Sequence, residues 1–200
     1  MSRLLAALSL TLALARPGAS AEPAPLPGDS LYQLQIELST QDGRGIRLDS
    51  LRGQPVLISM FYASCDGVCP AIAFQMRRLD AALTPAQRQA LRLVLVSFDP
   101  KRDDQAALAR FARINQLEGP RWIVARAPDP GVRELAAALD ERYRELPGGG
   151  FSHSTIIAVL DADGVIRARS SALAAIDPEF MRVLSATTKA GATTTVREKP

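Results

Sequence analysis

Both cysteines of this 200-residue chain lie close together, and its single histidine is far from them in sequence. Cys65 and Cys69 occur in the segment ASCDGVCP, and His153 occurs in GGGFSHS. A cysteine thiolate is both a nucleophile in disulfide exchange and a ligand for soft metal ions, and imidazole is a frequent metal ligand. These residue types therefore predict a metal site, a redox site or a structural disulfide.

The N-terminus has the pattern of a secretory signal peptide. Arg3 precedes an apolar run of 12 residues, 4–15, and small residues follow up to Ala21. We therefore expect cleavage after residue 21, with an uncleaved, membrane-associated anchor as the alternative. The run is shorter than the roughly 20 residues of a spanning helix, so no stable membrane span is expected. Export predicts a periplasmic protein, in a compartment where two cysteines usually form a disulfide.

Composition indicates one ordinary domain. Removal of residues 1–21 leaves 179 residues with 22 basic and 21 acidic side chains, a net charge of +1, which gives no argument for binding nucleic acid. The length suits a single domain with a full core. The expected divisions are a Pro-rich linker at 22–30, the domain at 31–185 and a flexible tail at 186–200.

The hydrophobic pattern predicts an α/β fold. Alternating residues at 31–38, a turn, and residues 45–51 indicate an N-terminal β-hairpin. Apolar runs typical of buried strands alternate with segments of helical periodicity, and a second hairpin turns at Asp163 and Gly164. The predicted strands are 55–62, 91–98 and 121–127, and the predicted helices are 71–83, 105–114, 130–139 and 175–184. This order predicts a thioredoxin-like domain, with a central mixed sheet flanked by helices.

The cysteines follow a predicted central strand directly. Pro70 suits a first helical position, so Cys69 should lie at a helix N-terminus, which favours a thiolate, with Cys65 in the loop before it. Three intervening residues, where redox thioredoxins have two, let two sulfurs straddle a metal, although a disulfide stays within reach. His153 precedes a strand whose loop should face the cysteine turn. Two thiolates and an imidazole suit copper, and zinc also fits.

Three segments together carry a family resemblance: FYASCDGVCP, VLVSFDPKRDD and FSHSTIIAVLDADG. The chain resembles the SCO/SenC family of copper-binding, thioredoxin-fold proteins that help to assemble the dinuclear copper site of cytochrome c oxidase. The resemblance implies that Cys65, Cys69 and His153 are ligands for Cu(I), Cu(II) or both. It also implies that Asp99 supports the ligands or faces a partner protein. Asp99 also fits an ordinary loop or capping aspartate.

The cysteine turn departs from the family pattern. Members often carry Cys-Pro-Asp there, whereas this chain has Cys65, Asp66 and Gly67. Gly67 makes the loop more flexible. Asp66 still places a carboxylate beside the ligands.

Two functions follow from the resemblance. The first is a copper metallochaperone, rather than a classical enzyme, that passes copper to an oxidase subunit. The second is a thiol–disulfide reductase that keeps the receiving cysteines reduced, with Cys65 attacking and Cys69 resolving. The expected partners are the receiving subunit and a periplasmic thiol reductant or copper donor. A peroxidase is a weaker hypothesis, because Tyr62 stands where peroxiredoxins usually have threonine.

Overall fold

The computed structural model describes residues 24–147 and 149–197, with side chains as far as residue 191. The predicted signal peptide, residues 1–21, lies outside the described residues. Within the described ranges, no helix combines the length and apolar character needed to cross a membrane.

The described chain forms strands and helices in alternation. The strands are β1 (Glu37–Thr40), β2 (Gly45–Arg47), β3 (Val56–Phe61), β4 (Arg92–Ser97), β5 (Trp122–Arg126), β6 (Tyr143–Glu145), β7 (Phe151–His153), β8 (Ile157–Leu160) and β9 (Ile166–Ser170). The α-helices are α1 (Val68–Ala81), α2 (Pro85–Ala90), α3 (Gln105–Ile114), α4 (Asp129–Leu139) and α5 (Pro178–Arg197). The predicted α/β fold is confirmed, and the sequence analysis had not predicted α2, β6 or β7.

Seven strands form one mixed sheet in the order β2-β1-β5-β4-β3-β8-β9. Strands β3, β4 and β5 are parallel, and their neighbours in the sheet pair antiparallel. Every residue of β3 is buried, as its continuous apolar sequence predicts for a central strand. Strands β6 and β7 form a separate two-stranded sheet.

Alternate residues of β3 point into two apolar layers on opposite faces of the sheet. Leu57 and Phe61 contribute to the layer that includes the buried residues of α1, α3 and α5. Ile58 and Met60 contribute to the other layer, with α4 and the N-terminal segment. Helices therefore cover both faces of the sheet, as predicted.

The first predicted strand begins later than expected. Residues Leu31–Gln33 form a short 3-10 helix because the Ser30 hydroxyl accepts a hydrogen bond from the N–H of Tyr32, 3.1 Å away. The extended segment is restricted to β1. Ser30 itself is buried, so the ordered domain includes a residue that the sequence analysis assigned to the linker.

The second and last predicted elements also differ in extent. Strand β2 ends at Arg47, and Leu48–Leu51 form a 3-10 helix. Helix α5 continues to Arg197, into the range 186–200 that was predicted to be a flexible tail. Thr188 in this continuation is buried against the domain, and its hydroxyl donates a hydrogen bond to the carbonyl of Leu184, 2.8 Å away.

Candidate metal centre

The cysteines lie in the connection from β3 to α1. Cys69 is in the first turn of α1 and fully buried, while Cys65 is in the loop and almost buried. Both thiols are free. The backbone N–H of Cys69 donates to Sγ of Cys65 across 3.4 Å, so the positive end of the helix faces that sulfur. The predicted placement of both cysteines is confirmed, except that Pro70 is the third helical residue rather than the first.

The pKa values of the two thiols are shifted in opposite directions. Burial raises the pKa of the Cys69 thiol far above its ordinary value, and the neighbouring Cys65 and Asp103 raise it further. Burial also disfavours the charged form of Cys65, but hydrogen bonds from Cys69, Gly67 and the Tyr62 hydroxyl outweigh it and lower the pKa of Cys65. Cys65 is therefore the first of the two to become a thiolate.

His153 reaches the cysteines from the separate two-stranded sheet. It ends β7, opposite Tyr143 of β6, and is thus on a strand where the sequence analysis expected a loop. Its Nε2 lies 3.7 Å from Sγ of Cys69. Its Nδ1 lies 2.5 Å from the carbonyl oxygen of Ser154, and an N–H at Nδ1 can donate to that oxygen. This arrangement leaves the lone pair of Nε2 for a metal ion.

Glu141 supports the imidazole from the other side. Its carboxylate lies 3.8 Å from Nδ1 of His153 and accepts hydrogen bonds from the Ser154 hydroxyl and the Ile156 N–H. Burial lowers the pKa of His153, but Glu141 and the Ser154 carbonyl outweigh that effect, and the net pKa is raised. Glu141 was not predicted from the sequence, because nothing in the charged run DERYRE distinguishes a buried glutamate from an exposed one.

Aromatic rings pack around the histidine and hold the small sheet against the domain. The centroid of the Phe98 ring lies 4.9 Å from that of His153, and the Tyr62 ring lies 6.0 Å away on an edge-to-face approach. The ring centroids of Tyr143 and Phe151 lie 5.2 and 5.1 Å from that of Phe98. The position of His153 is therefore set by packing as well as by hydrogen bonds.

The structure separates the roles of the aspartates near the site. Asp99 is buried, and its carboxylate pairs with Arg102 at 2.5 Å. Asp103 accepts hydrogen bonds from the N–H of Ala63 in the cysteine loop and from the hydroxyl of Ser97. Asp66 is exposed in that loop. Asp103, rather than Asp99, therefore supports the cysteine loop.

The structure brings the three predicted ligands together. One ligand atom each from Cys65, Cys69 and His153 lies within 4.8 Å of the other two. Two thiolates and an imidazole are the donors that soft and borderline metals prefer, so this set fits copper, and its ligand types also fit zinc.

Three comparisons place the chain among known proteins. The SCO1/SenC family model matches residues 26–184. A SCO1 protein homolog from Bacillus subtilis is 30% identical over 92 residues, which are 46% of this chain and 47% of that protein. The chain thus spans about half the length of this curated relative.

Solved structures share the fold. The copper-bound structure of ScoI from Bradyrhizobium japonicum is 20% identical, with a TM-score of 0.64 over 76% of this chain and 96% of that one. BsSco, described as a Sco-family cytochrome c oxidase assembly protein with a disulfide switch, is 21% identical, with a TM-score of 0.66 over 80% and 93%. These likenesses confirm the thioredoxin-like fold. Since the family model covers most of the described chain, the protein belongs to the SCO1/SenC family.

Proposed function

We propose that the chain is a periplasmic copper carrier. It binds one copper ion through Cys65, Cys69 and His153 and delivers the ion during assembly of the copper site of cytochrome c oxidase. The observation that carries this proposal is the convergence of two free thiols and an imidazole nitrogen within 4.8 Å. The copper-bound relative and the family's described role in oxidase assembly support it.

The three ligands contribute differently to copper binding. Cys65 supplies the first thiolate, because the N-terminus of α1 favours its charge. Cys69 is buried and holds its proton to higher pH, so it releases that proton when the ion provides a compensating positive charge. His153 adds Nε2, while the Ser154 carbonyl and Glu141 hold the ring in place.

Copper titration of the reduced protein tests the proposal. The protein without residues 1–21 is titrated with Cu(I) and Cu(II), beside Cys65→Ser, Cys69→Ser and His153→Ala. We expect one tightly bound equivalent in the parent and its loss in all three variants. Ser64→Ala, at an exposed position in the same loop, is the matched control. Unchanged affinity in His153→Ala would contradict the three-ligand site.

A thiol–disulfide reductase is the second candidate function. It is favoured by the free, closely spaced thiols and the lowered pKa of Cys65. The Cys65 thiolate would attack a substrate disulfide, one substrate thiol would leave, and Cys69 would displace the second. The products are a reduced substrate and a Cys65–Cys69 disulfide, which an external periplasmic dithiol must reduce. Disulfide exchange that persists in His153→Ala while copper binding is lost would separate the two functions.

A further inference from the structure

An arginine-lined cleft lies at the amino ends of the parallel strands, and the metal centre lies at their carboxyl ends. The cysteine loop follows the carboxyl end of β3, whereas Arg121 and Trp122 line the cleft at the amino end of the parallel strand β5. A strand of five or six residues is about 17–20 Å long, so the cleft is far from the cysteines. Its volume is about 420 Å³. This size is typical of small-molecule sites.

The cleft has an excess of positive charge. Its charged lining residues are Arg77, Arg78, Arg88, Arg121, Asp80 and Glu118. Four guanidinium groups against two carboxylates leave two positive charges in excess. Arg92, half-buried at the start of β4, is close enough to Arg121 that burial and the Arg121 charge together lower its pKa. The surroundings of the cleft are therefore cationic as well.

A buried carboxylate fixes two of the arginines. Asp80, whose side chain is 6% exposed, binds both terminal nitrogens of Arg121 at 2.8 and 2.9 Å and Nε of Arg88 at 3.2 Å. One terminal N–H of Arg77 donates a hydrogen bond to Oε1 of Gln116, 2.6 Å away. Among the described residues, no protein group accepts a hydrogen bond from the terminal nitrogens of Arg88 or from the remaining nitrogens of Arg77. These donors are therefore available to a bound anion.

We propose that this cleft binds a phosphate dianion, either inorganic phosphate or a phosphate monoester. Guanidinium groups bind phosphate through paired hydrogen bonds, and a phosphate monoester carries nearly two negative charges at neutral pH. That charge matches the excess of two, whereas a single carboxylate would neutralise only half of it. Phe74 is 57% exposed at the rim, with the guanidinium of Arg78 5.9 Å from its ring centroid, and it offers an apolar surface for the organic part of an ester.

Calorimetric titration with inorganic phosphate and, separately, with a phosphate monoester, glycerol 3-phosphate, at physiological ionic strength tests this proposal and distinguishes the two ligands. We expect saturable 1:1 binding that weakens by at least about tenfold in Arg77→Gln/Arg88→Gln, because charge-assisted hydrogen bonds are lost. Arg110→Gln/Arg133→Gln removes the same charge from exposed positions on α3 and α4, and it should leave binding unchanged. Thermal unfolding of each variant verifies its folding without relying on copper.

Two outcomes would overturn the proposal. The first is no binding of either anion. Binding of phosphatidylglycerol vesicles or of a glutamate-rich peptide, titrated in parallel, would then assign the cleft to a membrane surface or to an acidic protein. The second is equal weakening in the two double variants, which would indicate unspecific attraction.

Discussion

The carboxylate of Glu141 lies 3.8 Å from Nδ1 of His153, and their side chains are 1% and 2% exposed. The same carboxylate accepts hydrogen bonds from the Ser154 hydroxyl, 2.6 Å away, and from the Ile156 N–H, 3.0 Å away. The glutamate is therefore fixed by the short connection between β7 and β8. Its position helps to set the orientation of the imidazole.

Replacement of Glu141 by glutamine should weaken copper binding. The amide keeps the size of the side chain but removes the charge behind His153. Loss of such a supporting group commonly lowers metal affinity about 10- to 100-fold, and we expect an effect of that size. Competition with a Cu(I) chelator would measure it. Glu145→Gln, an exposed carboxylate on β6, is the control, and equal affinities of the two variants would contradict the role of Glu141.

The two cysteines should differ in alkylation rate. The pKa of Cys65 is lowered and that of Cys69 is raised, so Cys65 forms its reactive thiolate at lower pH. We expect Cys69→Ser, which retains Cys65, to react with iodoacetamide faster than Cys65→Ser at neutral pH. The alkylation rate of Cys69→Ser should also begin to rise at a lower pH than the rate of an ordinary thiol. The reverse order of the two pH profiles would contradict the assignment of Cys65 as the first thiolate.

Tyr62→Phe should make Cys65 less acidic. Hydrogen bonding from the Tyr62 hydroxyl is one of the contributions that lower the pKa of the Cys65 thiol. Loss of one such bond is worth about 1 kcal/mol, so we expect alkylation of Cys65 at neutral pH to slow by about fivefold. The measurement uses the Cys69→Ser background. Tyr143→Phe, in the same aromatic cluster, serves as the control, and an unchanged rate in Tyr62→Phe would refute the contact.

Asp103 should make stability depend on pH. Burial raises the pKa of its carboxyl above the ordinary value, so the folded protein retains that proton to higher pH than the unfolded chain. Its contribution to stability is present at low pH and falls as pH rises from the ordinary pKa, about 3.9, through the folded pKa. The asparagine of Asp103→Asn cannot ionise, so this variant should not show that fall in stability. Urea unfolding across that range would measure the difference, and parallel pH profiles would contradict it.

Removal of the Asp103 acceptor tests its structural role separately. In Asp103→Ala the Ala63 N–H and the Ser97 hydroxyl both lose their partner. An unsatisfied buried donor costs about 1–3 kcal/mol. We expect the free energy of unfolding to fall by about that amount, which a lower urea midpoint would show. Asp99→Ala is a useful comparison because its partner, Arg102, is largely exposed. A similar midpoint for Asp103→Ala and the parent would show that the loop does not depend on Asp103.

The parts of the site that sequence predicts are those with distinctive chemistry. Cys65, Cys69 and His153 are rare residue types, and the strand and helix periodicity around them indicated where they would meet. Glu141 and Asp103 could not be found in this way. Both are carboxylates within charged segments, and their roles arise from burial by elements distant in sequence. Short elements such as β6 and β7 depend on pairing with each other rather than on local propensity, and no periodicity marks three residues.

The two-stranded sheet that carries His153 has a consequence for copper release. The cysteines are joined to the seven-stranded sheet and α1, while the histidine belongs to a ribbon of two three-residue strands. Such a ribbon has little stability of its own. Displacing it disturbs none of the hydrogen bonds of the central sheet. Under the proposed carrier function we therefore expect the imidazole to leave the ion first, so that two thiolates alone hand it over.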